Sequence, residues 1–176
     1  MRRAALLLVL AACAAEGPSG APELALLEAR AQEGIALVEQ SLRDPRLPFD
    51  RVGEGERVVA HASTRLLEMV QDPNVPDPHR LRAALAQARI NDELAHTLST
   101  PGAASLLEAG PRAILHAALE ARSTPARASA QAGYGRALSI LCAANLDDPA
   151  AQAEIVDGLT RYGVPVAVGL GGRPCD

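Results

Sequence analysis

Residues 110–145 read GPRAILHAALEARSTPARASAQAGYGRALSILCAAN, and the way this stretch folds decides the architecture of the chain. From 111 to 122 the apolar positions are Ile114, Leu115, Ala118 and Leu119, an i, i+1, i+4, i+5 stripe that fits a helix buried on one side. From 125 to 145, Ala130, Tyr134, Ala137, Leu138, Leu141 and Cys142 carry the same stripe over three turns. Between them, Ser123-Thr124-Pro125 offers a hydroxyl as N-cap and a proline at the first helical position, where its missing N–H costs nothing. The reading is two helices folded back on each other as a hairpin.

The same punctuation recurs along the chain. Asp77, Thr100, Thr124 and Asp148 each stand directly before a proline. Working outward, 22–44 is a long amphipathic helix with Leu24, Leu27, Ala31, Ile35, Val38 and Leu42 on one face. Residues 44–55 (DPRLPFDRVGEG) hold two prolines and two glycines and read as a loop. A helix over 56–72 buries Val59, Ala62, Leu66 and Val70. After the break at 73–78, a helix over 78–99 buries Leu81, Ala84, Leu85, Ala88 and Ala95, and Asn91-Asp92 interrupts its stripe, predicting a bend or split. Thr100-Pro101 opens a short helix up to Glu108. Asp148-Pro149 starts the last one, with Ile155, Val156, Leu159 and Tyr162 inward and Gly163 at its C′ position.

A chain of 176 residues is about one domain. Its aromatic residues are Phe49, Tyr134 and Tyr162, and it has no Trp, so its core is built from Ala, Leu, Val and Ile. Scarce ring faces and a net charge of −4 argue against nucleic-acid recognition. The start differs from the rest. Met1-Arg2-Arg3 is a basic n-region, and 4–12 is an apolar run of secretory length, too short to span a bilayer. It ends in Leu10-Ala11-Ala12-Cys13, which resembles the lipobox of bacterial lipoproteins. That resemblance implies cleavage before Cys13, removal of 1–12 as signal peptide, and lipidation (palmitate) of Cys13. With Arg2 and Arg3 gone, 15 basic and 21 acidic residues leave −6. Residues 13–21 then form the lipidated cysteine and a Gly/Pro-broken tether, whose eight residues after Cys13 reach about 28 Å fully extended. Ala14, rather than Asp, follows the cysteine, so the resemblance implies the periplasmic face of the outer membrane rather than the inner membrane.

The segment 105–145 is similar to one unit of an armadillo/HEAT-type α-solenoid: a Gly turn, a helix, a break, and a helix ending in Ala-Leu-x-x-Leu. Residues 152–164 resemble the start of another unit, and 65–92 can be overlaid on 113–145. Where peptide-binding armadillo families carry a ladder Asn, this chain has Ile140, which puts that mode of peptide binding in doubt. The expected fold is all-α: over 22–163 a short right-handed α-solenoid of antiparallel hairpins, or else an irregular α-helical bundle, with 164–176 as a tail.

Candidate chemistry is sparse. Cys142 and Cys175 remain after Cys13 is lipidated, an even pair that suggests a disulfide in an oxidising compartment, against the alternative of two free thiols. The histidines are His61, His79, His96 and His116. Asp92–His96 and His116–Glu120 lie one turn apart, yet no HExxH or CxxC spacing supports a metal, and His116 lies off its stripe. There is no GxSxG, and 169–173 (GLGGR) lacks the strand, helix and lysine of a phosphate loop. Arg112, Arg122, Arg127 and Arg136 form a basic strip or a solvated helix face. The expectation is a lipid-anchored, non-catalytic protein-interaction or envelope-structural module, with no cofactor and no metal, whose partners are the membrane and another envelope protein. The alternative is a small-ligand carrier or enzyme using a groove between hairpins, with His96 and His116 as its polar groups. A deep closed cavity lined by both histidines favours the second; an open face favours the first.

Overall fold

The computed structural model describes residues 21–44, 50–100, 109–166 and Cys175. The described residues form five helices: α1 (Ala21–Arg43), α2 (Asp50–Gln71), α3 (Asp77–Ser99), α4 (Ala109–Ala143) and α5 (Pro149–Arg161). Cross-helix pairs set the topology. Gly34 meets Gly55 while Arg65 reaches Glu23, so α1 and α2 run antiparallel. Arg80 donates to the Val70 carbonyl and Asn91 to Ser63, so α2 and α3 are antiparallel too. Ala88 against Gly133 and Ser99 against Arg127 make α3 and α4 a third antiparallel pair. The described residues form an all-α fold, which fits a helical bundle. Among the described residues no helix is long and apolar enough to cross a membrane.

The helix at the centre is α3, not α4. Besides Leu81, Ala84, Leu85, Ala88 and Ala95, it buries Ala83, Ala86, Gln87, Ile90, Asn91, Leu94 and Leu98. A helix covered on several sides loses its one-sided pattern, and the small alanines let neighbouring backbones come close. A Cβ built at Gly133 would lie 3.0 Å from Ala88. Asn91-Asp92 does not split α3, which is continuous from Asp77 to Ser99, and both side chains find partners on other helices, Asn91 on Ser63 and Asp92 on Arg161.

Several readings are corrected. The hairpin of 111–122 and 125–145 is one 35-residue helix, α4, with Pro125 inside it. Thr124 is therefore no N-cap; its Oγ1 and that of Ser123 donate backward to the Glu120 carbonyl, at 3.0 and 2.9 Å. The overlay of 113–145 on 65–92 fails with it, since one segment holds a turn and the other does not. Ile114 is 74% exposed, Ala118 is exposed and Leu115 half-buried, so the first turns of α4 face solvent; burial begins at Leu119. The loop predicted over 44–55 is shorter, because α2 begins at Asp50. Of its two glycines, Gly55 is a packing position against Gly34 of α1: a Cβ at Gly34 would lie 2.8 Å from the Gly55 carbonyl oxygen, and one at Gly55 would lie 2.7 Å from Val38 Cγ2. At α3 the N-cap is Pro76 rather than Asp77, which pairs with Arg80 at 2.8 Å. Thr100 closes α3, with its Oγ1 donating to the His96 carbonyl at 2.6 Å, and the short helix expected after it lies outside the described residues.

Other boundaries match. Asp148 caps α5 by accepting from Ala151 N–H at 3.0 Å, with Pro149 next to it. Gly163 takes φ 70°, and the N–H groups of Gly163 and Val164 return to Thr160 and Leu159. That is a Schellman ending, and Asn145 at φ 48° makes the same motif after α4. Cys142 and Cys175 are joined by a disulfide with 5.3 Å between their Cα atoms. Cys13 and the run before it lie outside the described residues, as does the GLGGR segment.

Candidate functional site

Because α3 is central, its polar side chains define two places where chemistry gathers. One is a cleft of about 550 Å³, open to solvent, where α3, α4 and α5 meet. Arg89 donates to both oxygens of Glu154 (2.6 and 2.9 Å) and lies 3.6 Å from Glu28, so one guanidinium ties α1, α3 and α5 together. Its pKa is raised, chiefly by the hydrogen bond to Glu154. Asp92 accepts from Arg161 and, at 2.6 Å, from the Tyr162 hydroxyl. Burial, and then that hydrogen bond, push the Tyr162 phenol well above its ordinary value. Tyr134 is 2% exposed, its phenol raised first by burial, and its ring fills the space beside Gly158, where a Cβ would come within 2.6 Å. Arg127 donates to Ser99 Oγ at 2.7 Å and pairs with Glu120 at 2.6 Å.

In this cleft each arginine is already neutralised, and both phenols are held protonated. The arrangement docks α5 onto α3. His96 lines the cleft, whereas His116 stands on the exposed start of α4 and is not part of its lining, so the two histidines are not brought together. His61 lines a separate groove between α1 and α2, with Leu27 and Val58. His79 lies at the start of α3 with a buried Nδ1 that has no hydrogen-bond partner among the described residues. No group of three or more His, Cys, Asp or Glu suited to a metal ion occurs among the described residues.

The supposed basic strip is dispersed. Arg122 turns to Glu56 at 3.6 Å, Arg127 to Ser99 and Glu120, and Arg136 inward to Gln87 Oε1 at 2.7 Å. Burial lowers the Arg136 pKa. Arg112 lies on the exposed start of α4.

The second place is a polar chain through the α2–α3–α4 seam, which the sequence reading passed over. Arg136 holds Gln87; Gln87 Nε2 donates to Ser63 Oγ at 3.3 Å; Asn91 Nδ2 donates to Ser63 Oγ at 2.9 Å and to the Gln87 carbonyl at 2.7 Å. Ser63, Gln87 and Asn91 are 9, 4 and 5% exposed. Leaving one such buried group unpaired costs about 1–3 kcal/mol, so the chain fixes how the three helices register. The signal for it was the interrupted stripe at Asn91, a polar residue at an inward position.

Comparison with family models, curated proteins and solved structures gives no match.

Proposed function

We propose that the protein is a lipid-anchored, non-catalytic helical module on the periplasmic face of a bacterial membrane, the outer membrane by preference, where it engages another envelope protein. The observation that carries this reading is the run from Met1 to Cys13: a basic start, an apolar stretch and Leu10-Ala11-Ala12-Cys13. A short tether then leads to α1. The exposed start of α4 supports the binding role, because Gly110, Ile114 and Ala117 share a small apolar face there. An armadillo- or HEAT-like arrangement is the finer form of the reading. The antiparallel succession of α1, α2 and α3 supports it, and the unbroken α4 weighs against it.

The test is metabolic labelling with a palmitate analogue followed by envelope fractionation. The expected result is a labelled, membrane-bound product that begins at Cys13, and a Cys13→Ser chain that is unlabelled and not anchored. A soluble product that keeps residues 1–12 would overturn the proposal. Photo-crosslinking from position 114, with position 131 on the same helix as comparison, then tests whether the start of α4 meets a partner protein.

A further inference from the structure

The polar chain in the α2–α3–α4 seam does not end inside the protein. Its near end opens into a pocket of about 540 Å³, a size suited to a small molecule, walled by alanines, Leu94 and Pro125. At the floor, Asn91 uses both of its bonds through Nδ2, so among the described residues its Oδ1 has no protein partner. Ser63 Oγ accepts from Asn91 and Gln87, and its own hydroxyl hydrogen is given to no described acceptor. An acceptor and a donor, on two residues that both line the cavity, therefore stand side by side, backed by Gln87 and Arg136. Glu56 on α2 and Arg122 on α4 also line the pocket and form an ion pair at 3.6 Å, an anion and a cation within one wall-to-wall contact. Burial, the larger influence, raises the Glu56 carboxyl above its ordinary value, and Arg122 only partly offsets it. A cation brought to this half-solvated acid would restore what burial removes.

We infer that this pocket is a binding site for a zwitterionic amide of about dipeptide size. Its amide N–H donates to Asn91 Oδ1, and its carbonyl accepts from the Ser63 hydroxyl. Its ammonium and carboxylate lie against Glu56 and Arg122, and a small apolar side chain rests on the alanines and Leu94. The floor discriminates by chemistry. A bare carboxylate is repelled by Asn91 Oδ1, and a bare ammonium leaves Asn91 satisfied but the Ser63 donor unused. This site is independent of the lipid anchor and of the start of α4.

Calorimetric titration of the full chain with alanylalanine, with acetate and with methylammonium tests the inference. Alanylalanine is expected to bind saturably, and the two ions at least about tenfold more weakly. Asn91→Leu removes the floor acceptor and should weaken alanylalanine about tenfold or more. Ala60→Phe, at an exposed position of α2 on the rim, plugs the mouth without touching the polar chain and should give the same loss even if Asn91→Leu fails to fold. The inference is overturned if alanylalanine gives no saturable heat up to about 10 mM, if the ions bind as tightly as the dipeptide, or if folded Ala60→Phe binds as wild type does.

Discussion

Replacing Pro125 by alanine separates two architectures by the sign of one stability change. Within a helix, proline is about 3 kcal/mol worse than alanine, because it lacks the N–H and its ring crowds the carbonyl four residues back, here that of Ala121. In α4 part of this cost is already absorbed: Pro125 is exposed, so water can reach the disturbed carbonyl, and the Ser123 and Thr124 hydroxyls brace the Glu120 carbonyl beside it. The recoverable share is about 1–3 kcal/mol. At roughly 2–4 °C per kcal/mol for a chain of this size, the middle of that range predicts a melting temperature higher by about 4–8 °C. In a hairpin, by contrast, Pro125 would be a first-turn proline with a favourable φ, and alanine there would cost up to about 1 kcal/mol. Pro149, at the start of α5 behind the cap Asp148, is the matched control, and Pro149→Ala should lower stability by that smaller amount. Urea and thermal unfolding of the oxidised protein, followed by far-ultraviolet circular dichroism, gives both signs. If Pro125→Ala loses stability as Pro149→Ala does, the unbroken α4 is wrong, and with it the packing of Arg122 and Arg127 onto neighbouring helices.

Other outcomes follow from local geometry. Gly55→Ala forces a methyl into Val38 and the Gly34 carbonyl and should cost about 1–3 kcal/mol despite its better helix propensity; Gly135→Ala, where a Cβ meets nothing within 4 Å among the described residues, should instead gain about 0.5–1 kcal/mol, both read as urea midpoints. Reducing the Cys142–Cys175 disulfide opens a separation of 33 residues and should lower unfolding free energy by about 3–4 kcal/mol, measured with and without reductant. Glu56 has a raised pKa, so the folded state binds its proton more tightly than the unfolded chain does. Its contribution is fully present below the ordinary value of 4.5 and is lost as pH rises from there through the folded pKa. Glu56→Gln should therefore stabilise the protein at neutral pH and lose that advantage in acid; a gain that is flat with pH would contradict the assignment.

What the sequence made legible, and what it hid, divides along one physical line. The inward faces of α1 and α2 can be read directly: Leu27, Ala31, Ile35, Val38 and Leu42, then Val59, Ala62, Leu66 and Val70, are all buried, because each helix is covered on one side and keeps a 3.6-residue stripe. Punctuation is less dependable, since the same local string serves opposite ends. Asp148-Pro149 is a cap because the Asp148 side chain turns forward to Ala151; Thr124-Pro125 is not, because Thr124 turns back to Glu120. Gly55 resembles a breaker until Gly34 on another helix is seen to need its missing Cβ. These outcomes depend on contacts that a linear string does not contain.

The error at α4 could nevertheless have been found in the sequence. Leu119, Ser123, Ala126, Ala130, Gly133, Ala137 and Ile140 are all buried, at alternating steps of four and three. That register runs through Pro125 without resetting. A helix that ended and restarted at the proline would have no reason to keep phase, since its second half would bury a face chosen by a new direction of travel. The stripe was hidden because two of its members, Ser123 and Gly133, do not count as apolar. Ser123 is fully buried with its hydroxyl spent on Glu120, and Gly133 is buried because Ala88 leaves no room for more. The polar chain was hidden in the same way, as Gln87 and Asn91 occupy inward positions of α3 with polar side chains. In a chain this poor in aromatic residues, helices pack through small residues and a few hydrogen-bonded polar ones. Phase across a segment is then a better guide than the hydrophobicity of its individual members.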